Sequence, residues 1–148
     1  MKSIERKILF VCTGNTCRSP IAEALWRALG HDDVASAGVS AWPGLPAATH
    51  ARQAVKQYGA SLESHRSRDL RDIDSAFDLV LTMTRDQYTR LLEFRPQWAD
   101  RTFLLTEMVG ESGDVGDPFG QDFEAYHAVA EEIRRLLCKL EEKLTKGS

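Results

Sequence analysis

The chain has 148 residues, 43% apolar and 28% charged, enough to close one hydrophobic core without disulfides or a structural metal, so one domain over residues 1–148 is expected. Its net charge of −3 is spread over interleaved signs, with no basic run to neutralise a nucleic-acid backbone or an anionic bilayer, so no nucleic acid and no membrane is expected as a partner. Met1 to Lys7 is charged, and the apolar run after it is too short for a signal-peptide core or a membrane span, which places the protein in the cytoplasm with its three cysteines reduced.

Ile8-Leu9-Phe10-Val11 is short, continuous and bulky, as a strand buried on both faces requires. A small polar loop follows. From Ser19 the apolar residues Ile21, Ala24, Leu25 and Ala28 recur at helical spacing, with Pro20 at a permitted first-turn position and Gly30 as the stop. Val34 to Gly38 is a second strand, Trp42 to Pro46 a loop, and Ala47 to Tyr58 a helix ending at Gly59. Asp78 to Thr82 is a third strand, Arg85 to Phe94 a helix, and Thr102 to Leu105 a fourth strand. Glu111 to Gln121, with three glycines, two aspartates and one proline, must be a loop, and Phe123 to Leu144 forms a long amphipathic helix. The alternation predicts an α/β fold: an open four-stranded parallel sheet with helices on both faces. Ligands in such a fold bind beyond the carboxyl ends of the strands, where the loop after the first strand lies.

That loop carries the sharpest feature, Cys12-Thr13-Gly14-Asn15-Thr16-Cys17-Arg18-Ser19-Pro20, a Cys-x5-Arg-Ser frame between a buried strand and a helix start. The bare spacing is common by chance, and the setting gives it weight. Successive backbone N–H groups in a loop of small residues, with the positive end of the following helix, form a concave anion site that fits a tetrahedral phosphate. The same field stabilises a thiolate, which makes Cys12 the candidate nucleophile. Arg18 can give bidentate hydrogen bonds to two phosphoryl oxygens, and Thr13, Gly14, Asn15, Thr16, Cys17 and Ser19 complete the substrate-binding loop. Ser19 is suited to donate to the Cys12 sulfur, although with Pro20 it is also an ordinary helix N-cap pair, and Asn15 is suited to brace the loop.

A thiolate that displaces a phosphoryl group expels a poor leaving group, so a carboxylic acid must protonate it and then act as base on the water that attacks the phosphocysteine. Asp117-Pro118-Phe119-Gly120 supplies the acid in Asp117, with Pro118 stiffening the turn and Phe119 as an apolar wall; Asp114 is the second candidate. Such chemistry needs no metal, and His31, His50, His65 and His127 lack ligand spacing, so no cofactor is expected. A non-catalytic phosphoprotein-binding module or a phosphocysteine carrier would keep the anion loop but would not require an acid at Asp117. A dinucleotide site is discarded because Gly14 is the only glycine in the first turn.

Together these motifs resemble the low-molecular-weight cysteine phosphatase family, whose pattern is an N-terminal Cys-x4-Cys-Arg-Ser-Pro loop and an Asp-Pro acid towards the C-terminal end. The resemblance covers nearly the whole chain. It implies phosphorylated protein substrates, with phosphate and other oxyanions as product or inhibitors. It also implies that Ser36 and His65 brace the loop around Asn15, and that Cys17 is able to form a protective disulfide with Cys12 under oxidation. A bland role for Cys17 as a small buried loop residue stands beside that one, and Cys138 is assigned to core packing. An arsenate reductase on the same scaffold would need further redox cysteines in mid-chain, and Thr82 to Thr89 has none.

Tyrosine-directed members of the family usually carry a branched aliphatic residue, often isoleucine, where this chain has Thr16. The stretches Cys-Thr-Gly-Asn-Thr-Cys-Arg-Ser and Asp-Pro-Phe-Gly are similar to those of bacterial protein-arginine phosphatases. A phosphoguanidinium has N–H donors that a threonine oxygen and Asp117 can accept, whereas a phosphotyrosine ring gains more from an aliphatic wall. Phosphoarginine is the favoured substrate and phosphotyrosine the alternative.

Overall fold

A computed structural model describes residues 6–146; residues 1–5, most of the charged leading segment, and residues 147–148 lie outside the described part. Four strands, β1 (Ile8–Cys12), β2 (Val34–Gly38), β3 (Leu79–Thr82) and β4 (Thr102–Leu104), form one all-parallel sheet in the order β2-β1-β3-β4. Five helices accompany them: α1 (Arg18–Ala28), α2 (Thr49–Lys56), α3 (Arg85–Phe94), α4 (Leu105–Met108) and α5 (Phe123–Lys146). The expected α/β architecture is the one observed.

Strand β1 is central, and every residue of it is buried. Its alternation divides the core between the two sheet faces. Ile8, Phe10 and Cys12 join Ile21, Leu25, Val55, Ile133 and Leu137 under α1, α2 and α5. Leu9 and Val11 join Leu70, Phe77, Val80, Leu91 and Trp98 on the side of α3. A strand covered on both faces has no polar face to alternate, so its sequence is a continuous apolar run. The chain winds from β1 outward to β2 and then back past β1 to β3 and β4. The carboxyl end of β1 is therefore the switch point where the two directions diverge and leave a crevice.

Several elements differ from the sequence expectation. Leu105 does not extend β4; it opens the single turn α4, because the edge strand ends where its pairing with Thr82 ends, at Leu104. Helix α2 is confined to Thr49–Lys56, its apolar Ala51, Ala54 and Val55 being the part that reaches the core. Short 3-10 turns at Leu70–Asp72 and Pro96–Trp98 carry Leu70 and Trp98 into the second core, and nothing in the apolar periodicity announced them. Cys138 is exposed rather than packed, since α5 turns the neighbouring Leu136, Leu137 and Leu140 inward and leaves Cys138 on its outer face.

Candidate active site

Residues 13–17 connect β1 to α1 and wrap a concavity at the carboxyl end of the sheet. The loop closes tightly because Asn15 adopts a left-handed φ of 56°, a conformation in which Asn is among the best-tolerated non-glycine residues. Its side chain is fully buried and spends every polar atom. Nδ2 donates to Ser19 Oγ at 2.9 Å and Ser36 Oγ at 3.0 Å, and Oδ1 accepts from the Arg68 amide at 2.8 Å. The Asn15 carbonyl accepts from His65 Nε2 at 2.8 Å. Asn15, Ser36 and His65 thus form the connected brace that the family resemblance implied. Burial lowers the pKa of His65 from its ordinary value, which favours the neutral ring.

At the base of the loop, Cys12 Sγ lies 2.9 Å from Ser19 Oγ and accepts from the Asn15 amide at 3.3 Å. Ser19 is fully buried inside the first turn of α1. The N-cap position belongs to Cys17, which makes no side-chain cap, so the reading of Ser19 as a helix cap does not apply. The loop also explains Gly38, whose Cβ, if present, would overlap the Thr13 carbonyl oxygen. The end of β2 must be bare for the loop to lie against it. Gly14, by contrast, is not crowded: a Cβ there would meet nothing closer than Thr16 Oγ1 at 3.9 Å.

A cleft of about 230 Å³ opens over this loop, lined by Cys12, Thr13, Gly14, Thr16, Cys17, Arg18, Asp117 and Phe119. It brings together eight of the ten residues named from the sequence, while Asn15 and Ser19 stand behind it. Arg18 is buried, with Nη1 donating to the Val115 carbonyl at 2.9 Å and Nη2 lying 3.6 Å from Asp117 Oδ2. The Asp117 side chain is half exposed, and Phe119 stands out from the rim with 71% of its surface free. An Asp117 oxygen accepts from the Phe119 amide at 3.0 Å, an Asx turn that shapes this end of the loop. Asp114 does not line the cleft. Its carboxylate accepts from the Arg85 amide at 2.9 Å, which ties the acid loop to the start of α3.

Three further residues support the site without having been named from the sequence. Gln87 is buried and donates to Thr13 Oγ1 at 3.0 Å while its Oε1 accepts from the Met83 and Thr84 amides. The signal was present, since Thr84-x-x-Gln87 is a capping box and Gln87 is its fourth member. Val115 is held by its amide donating to the Met83 carbonyl at 2.9 Å, which fixes the carbonyl that Arg18 meets. Tyr126 on α5 places its hydroxyl 3.4 Å from Cys17 Sγ. Desolvation raises the pKa of Cys17, and burial raises that of Tyr126, so both stay protonated at neutral pH. Cys17 therefore lines the cleft as a neutral thiol beside a separate Cys12. Among the described residues, no group of three or more His, Cys, Asp or Glu is placed to hold a metal ion, and no helix is long and apolar enough to cross a membrane.

The arrangement places a buried thiol, a guanidinium group and a carboxyl group around one cleft. Residues 7–148 match the model of the family described as low molecular weight phosphotyrosine protein phosphatase. A protein-arginine-phosphatase of Geobacillus stearothermophilus is 44% identical, over 93% of this chain and 95% of its own length. The low molecular weight protein-tyrosine-phosphatase PtpB of Staphylococcus epidermidis is 33% identical over 93% of this chain and 98% of its own. Among solved structures, the YwlE arginine phosphatase, as a cysteine-to-serine mutant with a phosphorylated active-site serine, superposes with a TM-score of 0.88 at 38% identity, covering 94% of this chain and 95% of that one. With the cleft, the fold and these likenesses in agreement, the chain belongs to the low molecular weight phosphotyrosine protein phosphatase family.

Proposed function

We propose that this protein is a cytoplasmic protein-arginine phosphatase that works through a phosphocysteine intermediate. The observation that carries the mechanism is the placement of Cys12, Arg18 and Asp117 around one cleft, with Ser19 Oγ 2.9 Å from the Cys12 sulfur. Cys12 attacks phosphorus, forming the S–P bond as the P–N bond of phosphoarginine breaks, and Asp117 delivers its proton to the departing guanidine nitrogen. Arg18 and the loop amides hold the equatorial oxygens as charge spreads over them. Water then attacks the phosphocysteine, Asp117 takes its proton, and the sulfur leaves as a thiolate stabilised by the Ser19 hydroxyl. Phosphate is the product.

Thr16 supports the substrate assignment. It lines the cleft, and its side chain carries a hydroxyl, whereas an aryl ring would gain more from a wholly aliphatic side chain. The likeness to the protein-arginine-phosphatase of Geobacillus stearothermophilus points the same way. Phosphotyrosine is the alternative, favoured by the exposed Phe119 ring at the rim, which can flank an aryl group, and by the likeness to PtpB.

The deciding experiment measures kcat/KM on matched phosphoarginine and phosphotyrosine peptides for the wild type and Thr16→Ile, with Cys12→Ser as the blank. A wild-type preference for phosphoarginine that collapses towards phosphotyrosine in Thr16→Ile is expected. The opposite wild-type preference identifies a tyrosine phosphatase.

A further inference from the structure

A second cavity, of about 210 Å³, shares no lining residue with the catalytic cleft. Its wall includes Glu23, Ser36, Ser64, His65, Arg66 and Arg68. Among these, the side chains of Arg66, Arg68 and Ser64 carry hydrogen-bond donors of the kind that a tetrahedral oxyanion takes. Glu23 is the one acidic group in the wall, and both of its oxygens are engaged: Oε1 accepts from Ser36 Oγ at 2.7 Å, and Oε2 pairs with Arg27 at 3.0 Å. Its charge is paired with that of Arg27, which does not line the cavity, whereas Arg66 and Arg68 do; Arg68 Nη2 donates to the Ser36 carbonyl at 3.3 Å.

The same residues hold the catalytic loop. His65 Nε2 donates to the Asn15 carbonyl and the Arg68 amide donates to Asn15 Oδ1, while Ser36 receives the Asn15 side-chain amide. From Asn15 the path continues through Ser19 Oγ to the Cys12 sulfur, each step 2.9 Å long. Anything that repositions the 61–68 segment therefore acts on the one left-handed residue that closes the loop.

We propose that this cavity is a second oxyanion site, taking inorganic phosphate or the phosphate of a phosphomonoester, and that its occupancy is coupled to the catalytic loop through Asn15. The site stands independently of whether phosphoarginine or phosphotyrosine is the substrate. Recognition falls to Arg66 and Arg68, with His65 and Ser36 transmitting the change.

The test is a backbone-amide NMR titration of the full chain carrying Arg18→Ala, which silences the catalytic anion site, with inorganic phosphate in one arm and free phosphoserine in the other. Amides of residues 61–68 and of Asn15 should shift along one common saturation curve. Adding Arg66→Ala, whose side chain makes one hydrogen bond, to its neighbour's carbonyl, should weaken that curve roughly tenfold, the loss of one charge-assisted contact. Response to both ligands shows that a free phosphate dianion suffices, and response to phosphoserine alone assigns the site to a phosphomonoester. No shift in 61–68 with either ligand up to about 50 mM, far weaker than a specific site requires, overturns the proposal, as does an unchanged curve in Arg66→Ala. Shifts confined to 61–68 that leave Asn15 still overturn the coupling.

Discussion

The buried Arg18 guanidinium donates to the Val115 carbonyl at 2.9 Å, two residues ahead of Asp117 in the chain. One side chain thereby ties the start of α1 to the segment that leads to Asp117. Arg18→Lys removes the planar fork that can serve both partners. The expected result is a fall of roughly 10²–10³ in kcat, the loss found when a preorganised transition-state donor is removed, together with weaker inhibition by phosphate. Steady-state kinetics checks this, and near-wild-type turnover would exclude Arg18 as the clamp.

Ser19→Ala removes the hydroxyl 2.9 Å from the Cys12 sulfur with little change in volume. If that hydroxyl assists departure of the sulfur from phosphocysteine, kcat falls about 10–100-fold while a burst of the first product persists. Rapid-quench kinetics on an aryl phosphate separates the two steps. A uniform loss without a burst would mean that attack, not release, is what Ser19 assists.

For Asp117→Ala, the loss should depend on the leaving group. An activated aryl phosphate needs little protonation and should be affected least, whereas a substrate with a basic leaving group should slow by about 10²–10⁴. Equal losses in kcat/KM, which reports the step in which the leaving group departs, across a series of leaving groups would make Asp117 structural.

Gln87→Leu keeps the approximate volume but leaves the Met83 and Thr84 amides without their acceptor and frees Thr13. A stability loss of about 1–3 kcal/mol is expected from buried groups left unpaired, read from urea unfolding. Because Thr13 lines the cleft, kcat/KM should fall as well, although Gln87 itself does not line it. Unaltered kinetics in the folded variant would confine Gln87 to capping α3.

His65 gives a pH dependence with a definite sign. Burial lowers its folded pKa below the ordinary 6.5, so between the two values the unfolded chain binds more protons and stability rises with pH. The contribution is complete above about 6.5 and is lost as pH falls from there through the folded value. Asp69 and Glu111 are also lowered, in their case by their basic partners, Glu111 to about 2. Their contributions are lost only below the ordinary carboxylate range, near about pH 4. The difference in unfolding free energy between wild type and His65→Gln should therefore shrink from about pH 7 to about pH 5. A constant difference would contradict a neutral, buried His65.

Most of the fold was legible in the sequence because its elements have local causes. The run Ile8 to Val11 must be a two-sided strand, and the apolar spacing of Ile21, Leu25 and Ala28 must be a helix, whatever surrounds them. The boundaries of β4 and α2 were not, because pairing with Thr82 and contact with the core decide where those elements stop. The 3-10 turns were missed for a related reason: three residues are too few to show a period.

The Cys12 to Ser19 frame and Asp117 could be read from residue type and spacing, since an anion loop of this kind is continuous in sequence and an acid loop carries its own turn chemistry. Tertiary structure alone decided what stands behind them. That Arg18 meets Val115, that Gln87 reaches Thr13 and that Tyr126 faces Cys17 depends on parallel crossovers bringing together residues 97, 74 and 109 positions apart. Periodicity gives the face of an element but not its partner; close packing of the finished layers selects the partner, and with it the hydrogen bonds that hold Cys12, Arg18 and Asp117 around one cleft.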